Sequence, residues 1–176
     1  SNNTAIGYEA GFNVTTGGNN FFGGMEAGYS NTTGQYNFFG GRIAGRSNTS
    51  GEDNIAIGNA ALYSSTTSSG NVAIGRNALY SSTVNHNTAV GHLAMTANTT
   101  GSGNVALGGY ALDANTTASN NTALGHQAGS GTTTGGNNTF VGKDSGLTNT
   151  TGTNNTAIGF QAGYSTTTGG YNFFGG

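Results

Sequence analysis

Short apolar segments recur along the chain at a fixed spacing of 17 residues. Ile55–Ile57, Val72–Ile74 and Val105–Leu107 are typical, since each is three residues long and rich in branched apolar side chains. Such segments favour extended strands, and the glycine that follows each of them can turn the chain at positive φ. The pattern predicts a short strand followed by a turn in every repeat.

A glycine and an asparagine mark every repeat. The glycines that follow the apolar segments are Gly7, Gly24, Gly41, Gly58, Gly75, Gly91, Gly108, Gly125, Gly142 and Gly159, and Gly176 has the same position. The asparagines, four residues earlier, are Asn3, Asn20, Asn37, Asn54, Asn71, Asn87, Asn104, Asn121, Asn138, Asn155 and Asn172. One interval, from Gly75 to Gly91, is 16 residues long. Such a short period is typical of stacked copies of one unit. Residues 1–176 are therefore predicted to form a single solenoid array, an excerpt of a longer repetitive chain.

A second segment of each repeat centres on a small residue three positions after the glycine. These residues are Ala10, Ala27, Ala44, Ala61, Ala78, Ala94, Ala111, Ala128, Ser145 and Ala162. We interpret this segment as a second short strand, and stretches such as Asn31–Gly34 as turns. Glycine and asparagine inside every helical window argue against helix. The predicted fold is all-β: a parallel β-solenoid (β-roll) of about ten coils, with two short strands per coil.

Phenylalanine replaces the usual strand residues in four repeats and defines a predicted aromatic stack. Its members are Phe21, Phe22, Phe38, Phe39, Phe140, Phe173 and Phe174. Successive strand residues face opposite sides. On one face, Phe plus Gly takes the place of Thr plus Ile, and on the other, Phe takes the place of Ala and needs a gap in those layers. Phe22 and Phe39 are expected to stack on adjacent rungs.

The strands are apolar on both faces, which is typical of strands buried on both faces. A coil of 17 residues encloses only one interior. We therefore attribute the burial of the second face to other copies of the chain. The alternative is that the alanine face is small and half exposed.

The composition excludes several classes of protein. Only 33% of residues are hydrophobic and 6% are charged, with 34 glycines and no Pro, Cys or Trp. The lack of cysteine excludes disulfides and thiolate metal sites. A net charge of −2 lacks the basic footprint of a nucleic-acid-binding protein. No apolar run is long enough for membrane insertion.

Two rows of side chains have a functional and a structural interpretation. The asparagine row could bind sugars, or could form an internal amide ladder along the axis. A threonine row lies eight residues after the glycines: Thr15, Thr32, Thr49, Thr66, Thr83, Thr99, Thr116, Thr133, Thr150 and Thr167. It could match an ice lattice, or could stabilise turns. We favour the structural interpretation of both rows.

No catalytic, cofactor-binding or metal-binding residues are predicted. His92 and His126 share a repeat position but lie two rungs, roughly 9–10 Å, apart, which is too far to share a metal. The acidic residues Glu9, Glu26, Glu52, Asp53, Asp113 and Asp144 are scattered over several repeat positions. The paired carboxylates that a glycan hydrolase needs are therefore missing.

The repeat resembles a known family. The motif N-x-[AF]-[IVL]-G-x-x-A, as in Asn3–Ala10 and Asn71–Ala78, is similar to the head repeats of trimeric autotransporter (YadA-like) adhesins. It also resembles the NTAIG-type repeats of phage tail-fibre proteins. The adhesin resemblance implies a trimeric, left-handed parallel β-roll that is displayed outside the cell and attaches to host matrix or surfaces. The repeat departs from that family by a longer Thr-Thr-Gly turn.

These observations predict a structural or adhesive extracellular fibre whose solenoids self-associate as a trimer or filament. Surface glycans or matrix are its expected further partners. One alternative is a phage tail-fibre shaft that binds a receptor and belongs to the virion. Another is a monomeric ice-binding or glycan-binding solenoid.

Overall fold

The computed structural model describes residues 2–176, which form one parallel β-solenoid. Eleven strands of three residues make a single sheet in chain order. They are β1 Thr4–Ile6, β2 Phe21–Gly23, β3 Phe38–Gly40, β4 Ile55–Ile57, β5 Val72–Ile74, β6 Thr88–Val90, β7 Val105–Leu107, β8 Thr122–Leu124, β9 Thr139–Val141, β10 Thr156–Ile158 and β11 Phe173–Gly175. The predicted all-β solenoid of about ten coils is confirmed.

Every strand pairs with the equivalent residues of the next coil. Thr4 pairs with Phe21 in β1 and β2, and the same register continues to the last pair. Val72 pairs with Thr88 across the short interval, so the missing residue does not shift the sheet. Equivalent residues of successive coils therefore form straight columns along the axis.

The prediction of a second strand was wrong, because the segment after each glycine consists of turns. Ala60 and Leu62 have φ values of 56° and 52°, in the left-handed region. The Ala61 N–H donates to Gly58 O within the coil at 3.3 Å, and the Leu62 N–H donates to Ala78 O of the next coil at 3.0 Å. Bonds within and between coils thus satisfy this backbone without an extended conformation. Each coil has one strand.

The glycine after each strand is required by the close stacking of the coils. Gly58 has a φ of 127°, and a Cβ built there would lie 2.7 Å from the carbonyl carbon of Gly75. Any larger residue would push the coils apart. This contact explains why glycine recurs at this position in every repeat.

The middle residue of each strand points into the coil. Phe22 and Phe39 are fully buried, and so are the alanines at the same position in neighbouring strands, such as Ala56. The two rings are 5.8 Å apart and tilted by 36°. The face with Phe and Ala is thus buried by its own chain, and both sequence-based interpretations of it, burial by other copies and half exposure, were wrong.

Two positions of the coil share the task of filling the interior, and the large side chain comes from one or the other. Where the strand supplies phenylalanine, a glycine stands four residues after the turn glycine, and a Cβ on Gly28 or Gly45 would lie 2.4 or 2.6 Å from the ring of Phe22 or Phe39. In the four coils where neither their own strand nor the next strand supplies phenylalanine, this position carries a fully buried Leu62, Leu79, Met95 or Leu112. The alanine strand β8 instead has Gly129, because the Phe140 ring of the next coil lies 2.5 Å from the place of its Cβ. The glycine at this position leaves the gap that the sequence analysis expected beside phenylalanine.

No helix of the described residues is long and apolar enough to cross a membrane.

Candidate interaction surface

The outward face of the sheet is an uncharged surface of apolar residues, threonine and glycine, which we call the outer stripe. It consists of the first and third residues of the eleven strands. The first residues are Thr4, Phe21, Phe38, Ile55, Val72, Thr88, Val105, Thr122, Thr139, Thr156 and Phe173. The third are Ile6, Gly23, Gly40, Ile57, Ile74, Val90, Leu107, Leu124, Val141, Ile158 and Gly175. No charged residue interrupts either column.

Large apolar side chains of the outer stripe are in contact with solvent. Ile57, Leu107 and Ile158 expose 40%, 43% and 45% of their surface. Eleven rungs at about 4.8 Å make the stripe roughly 48 Å long. A continuous apolar patch of several hundred Å² is typical of an interaction surface.

Phenylalanine rings fill the outer stripe in the three strands that end in glycine. The rings of Phe21 and Phe38 stack at 4.6 Å with an angle of 11° between their planes. Each ring leans over the glycine of its own strand, so that a Cβ on Gly23 would lie 2.7 Å from Phe21 Cε1. The phenyl ring thus covers the space that isoleucine fills in other strands, and on this face the exchange of Phe plus Gly for Thr plus Ile is observed. The outer stripe therefore carries a large apolar group in these strands as well.

The asparagines before the strands lie inside the coil and hold its turns together. The Asn104 Nδ2 donates to Ala118 O at 2.9 Å, and its Oδ1 accepts the backbone N–H of Asn121 at 2.9 Å. The side chain is fully buried. Equivalent bonds repeat along the row, so these amides are occupied within the protein and are not available to a sugar.

A second polar ladder, which the sequence reasoning missed, runs through the interior seven residues after the turn glycines. Its buried members are Asn31, Asn48, Ser65, Ser82, Asn98, Asn115, Thr132 and Asn149. Asn48 Nδ2, for example, donates to Asn31 Oδ1 at 2.7 Å and to Gly51 O at 3.1 Å. The signal was the recurrence of Asn, Ser and Thr at one position, but the surrounding turns are rich in the same residues.

The threonine row bonds from coil to coil. Thr49 Oγ1 donates to Thr66 O at 2.9 Å, and Thr99 Oγ1 donates to Thr116 O at 3.0 Å. These hydroxyls therefore cap backbone carbonyls of the next coil. The threonines themselves remain partly in contact with solvent, and Thr83 and Thr99 are exposed.

Charged and aromatic side chains form small surface clusters. Arg46 pairs with Glu26 and lies over the ring of Tyr29 at 5.0 Å. The carboxylate of Glu26 raises the pKa of the guanidinium of Arg46. The Tyr110 ring lies between His92 and His126, at 5.4 and 5.9 Å. Among residues 2–176, no three His, Cys, Asp or Glu side chains are placed to hold a metal ion.

Burial shifts the protonation of one acid. The carboxyl of Asp113 lies half-buried on the turn side of the coil, and the loss of water around it raises its pKa. Hydrogen bonds from Ser130 and from the backbone partly oppose this shift.

The fold and the outer stripe define a β-solenoid repeat protein with one uncovered apolar sheet face. No protein-family model, curated protein or solved structure matches the chain.

Proposed function

We propose that this chain is a structural and adhesive segment of an extracellular fibre, whose copies associate side by side through the outer stripe. The single observation that carries the proposal is the uncharged, largely apolar and partly exposed surface along the eleven strands, in which threonine takes five of the first positions. Burying such a surface removes apolar area from water, which favours association.

The size of the outer stripe suits this role. A strip about 48 Å long and about 10 Å wide offers roughly 500 Å² from each copy. Two copies would bury about 1,000 Å² in total, which reaches the lower bound of specific interfaces. A trimer, in which each copy meets two others, or a filament would bury more.

The rest of the coil supports a mechanical role. Backbone bonds, asparagine ladders and threonine hydroxyls connect each coil to its neighbours over the full length. Such a stack is stiff along its axis because each unit is fixed by adjacent units. The resemblance to adhesin heads supports a place outside the cell and attachment as the purpose of the fibre.

Sedimentation velocity of the wild-type chain and of two charged variants tests the proposal. Ile57→Lys/Leu107→Lys places two ammonium groups in the outer stripe. Thr117→Lys/Thr151→Lys adds the same charge at exposed turn positions and serves as the matched control. We expect oligomers for the wild type and the control, and monomers for the stripe variant.

A wild-type chain that stays monomeric up to millimolar concentration would contradict association through this face. Equal oligomerisation of both variants would do so as well.

A further inference from the structure

The 16-residue interval lacks one particular residue of the repeat. In the regular coil, the asparagine before the strand donates to the carbonyl of the Thr-Thr-Gly glycine, as Asn87 does to Gly101 O at 2.9 Å. In the short coil, Asn71 Nδ2 donates to Val84 O at 2.9 Å. Val84 therefore takes the place of that glycine.

The residue before Val84 has also kept its regular role. Thr83 Oγ1 donates to Thr99 O at 3.1 Å, which is the bond of the first threonine of the pair. The missing residue is thus the second threonine. In the other coils this position carries an exposed hydroxyl, as at Thr67 and Thr100.

A shallow depression lies at the deletion in the side of the solenoid. It has a volume of about 520 Å³ and is lined by Thr67, Thr83, Val84, Asn85, His86 and Ser102. These residues come from three successive coils, so the depression spans two rungs, roughly 10 Å. A different part of each coil forms the outer stripe, and the two surfaces are independent.

The lining is polar but uncharged. It combines hydroxyls, one amide and one imidazole with the methyl groups of Val84, and none of the six residues is Asp, Glu, Lys or Arg. Asn85 is held in place, because its Oδ1 accepts the Ser69 N–H at 2.8 Å while its Nδ2 is left to donate. Such a lining suits a neutral ligand with many hydroxyls and an apolar C–H face.

The imidazole of His86 has room beside it. The residues at its repeat position in the two neighbouring coils are Gly70 and Gly103. The ring leans over Gly70, whose added Cβ would lie 3.1 Å from His86 Cδ2. Asn120 leans over Gly103 in the same way, since a Cβ there would lie 2.8 Å from Asn120 Oδ1. His86 is exposed, so a flat molecule can reach the imidazole from its solvent side.

We propose that this depression binds a neutral pyranose of a glycan, with Val84 and His86 against the sugar ring and the hydroxyls and amide around it bonded to the sugar hydroxyls. This deepens the adhesive part of the proposed function by naming a ligand class. It does not rest on association through the outer stripe.

Saturation-transfer NMR on the whole chain tests this inference, with the methyl pyranosides of glucose, galactose, mannose, fucose, N-acetylglucosamine and N-acetylgalactosamine as probes. We expect transfer to at least one of them. His86→Ala should weaken its binding at least fivefold. A second variant, in which a threonine is inserted after Thr83 and Val84→Gly is made, restores the regular coil and should abolish binding. His126→Ala, on another part of the coil, is the matched control and should bind as the wild type does.

Far-ultraviolet circular dichroism checks that the variants keep the fold. If the insertion variant does not fold, His86→Ala still tests the proposal, because His86 is exposed and its removal leaves the fold intact. The absence of transfer to all six sugars would overturn the proposal. Binding that is unchanged in His86→Ala and in the regular-coil variant would overturn it too, since the sugar would then bind elsewhere. Stronger binding of methyl glucuronide than of methyl glucoside would contradict the neutral ligand class. Failure of self-association leaves these outcomes unchanged, so the two proposals fail separately.

Discussion

At the scale of single residues, the buried asparagines act as parts of the backbone. Each amide takes the place of a main-chain partner that a tight turn cannot supply within the coil. Glutamine is too long for this position and aspartate lacks the N–H donor, which explains why asparagine alone recurs there.

Removal of one such amide should leave one backbone group unpaired. We expect Asn104→Ala to lower the free energy of unfolding by about 1–3 kcal/mol, because the Asn121 N–H would lose its partner in a dry interior, whereas Ala118 O would keep its bond from Asn115 Nδ2. Chemical denaturation measures the change. Thr117→Ala, an exposed change in the same coil, should cost under about 0.5 kcal/mol. Similar losses for both variants would show that the ladder carries little stability.

The half-buried Asp113 gives a pH dependence of known sign. Because burial raises its pKa, the folded chain binds this proton more tightly than the unfolded chain. Its contribution is most favourable below the unfolded pKa and is lost as pH rises through the folded pKa. Asp113→Asn should therefore stabilise the chain at pH 7 by at most about 1 kcal/mol, since water screens the exposed part.

Melting temperatures from pH 7 down to pH 3 check this expectation. The gain of Asp113→Asn over the wild type should shrink as the acid becomes protonated. Asp53→Asn removes the same charge at an exposed turn and is the control. A gain that persists unchanged at pH 3 would contradict the role of burial.

At the scale of the coil, the interior is filled either by phenylalanine from the strand or by leucine from the turn segment. β3 uses Phe39 with Gly45, and β4 uses Ala56 with Leu62. Both fill the same narrow interior to full burial. The two positions are six residues apart in the repeat, and a change at one alters the space that the other must fill.

A double-mutant cycle tests this exchange. Phe39→Ala alone should lower the free energy of unfolding by about 3–5 kcal/mol, because it leaves a cavity. Gly45→Leu alone should also destabilise, by about 1–3 kcal/mol or more, because its Cβ would meet the Phe39 ring. Together they recreate the pattern of the next coil, and Leu62 shows that a left-handed position accepts leucine.

The double variant should recover at least half of the loss of Phe39→Ala. Urea denaturation of the four proteins gives the coupling energy. Losses that simply add would mean that the two side chains do not share one space.

At the scale of the whole molecule, the chain is a rod whose coils contact only their neighbours in sequence. For the monomeric stripe variant, small-angle X-ray scattering should give the profile of a rod about 50 Å long. Circular dichroism should lack the helical signal. A spherical profile, or a spectrum dominated by helix, would contradict the solenoid.

The period of the sequence determined the solenoid, the number of coils and the position of the strand before each turn glycine. Glycine and asparagine at fixed spacing suffice for this, because each meets a constraint that repeats in every coil: the close contact near Gly58 and the unpaired turn backbone near Asn104. The second strand was predicted wrongly, since small residues such as Ala61 suit a tight turn as well as a strand.

The tertiary structure alone decided which strand face is the interior. Alternation divides a strand into two faces but does not say which one the rest of the coil will cover. Alanine suffices inside because Leu62 and its equivalents reach across from the turn segment, whereas the larger Ile57 and Leu107 remain in contact with solvent. The outer stripe and the depression at Val84 depend on how successive coils pack, which the pattern within one repeat does not specify.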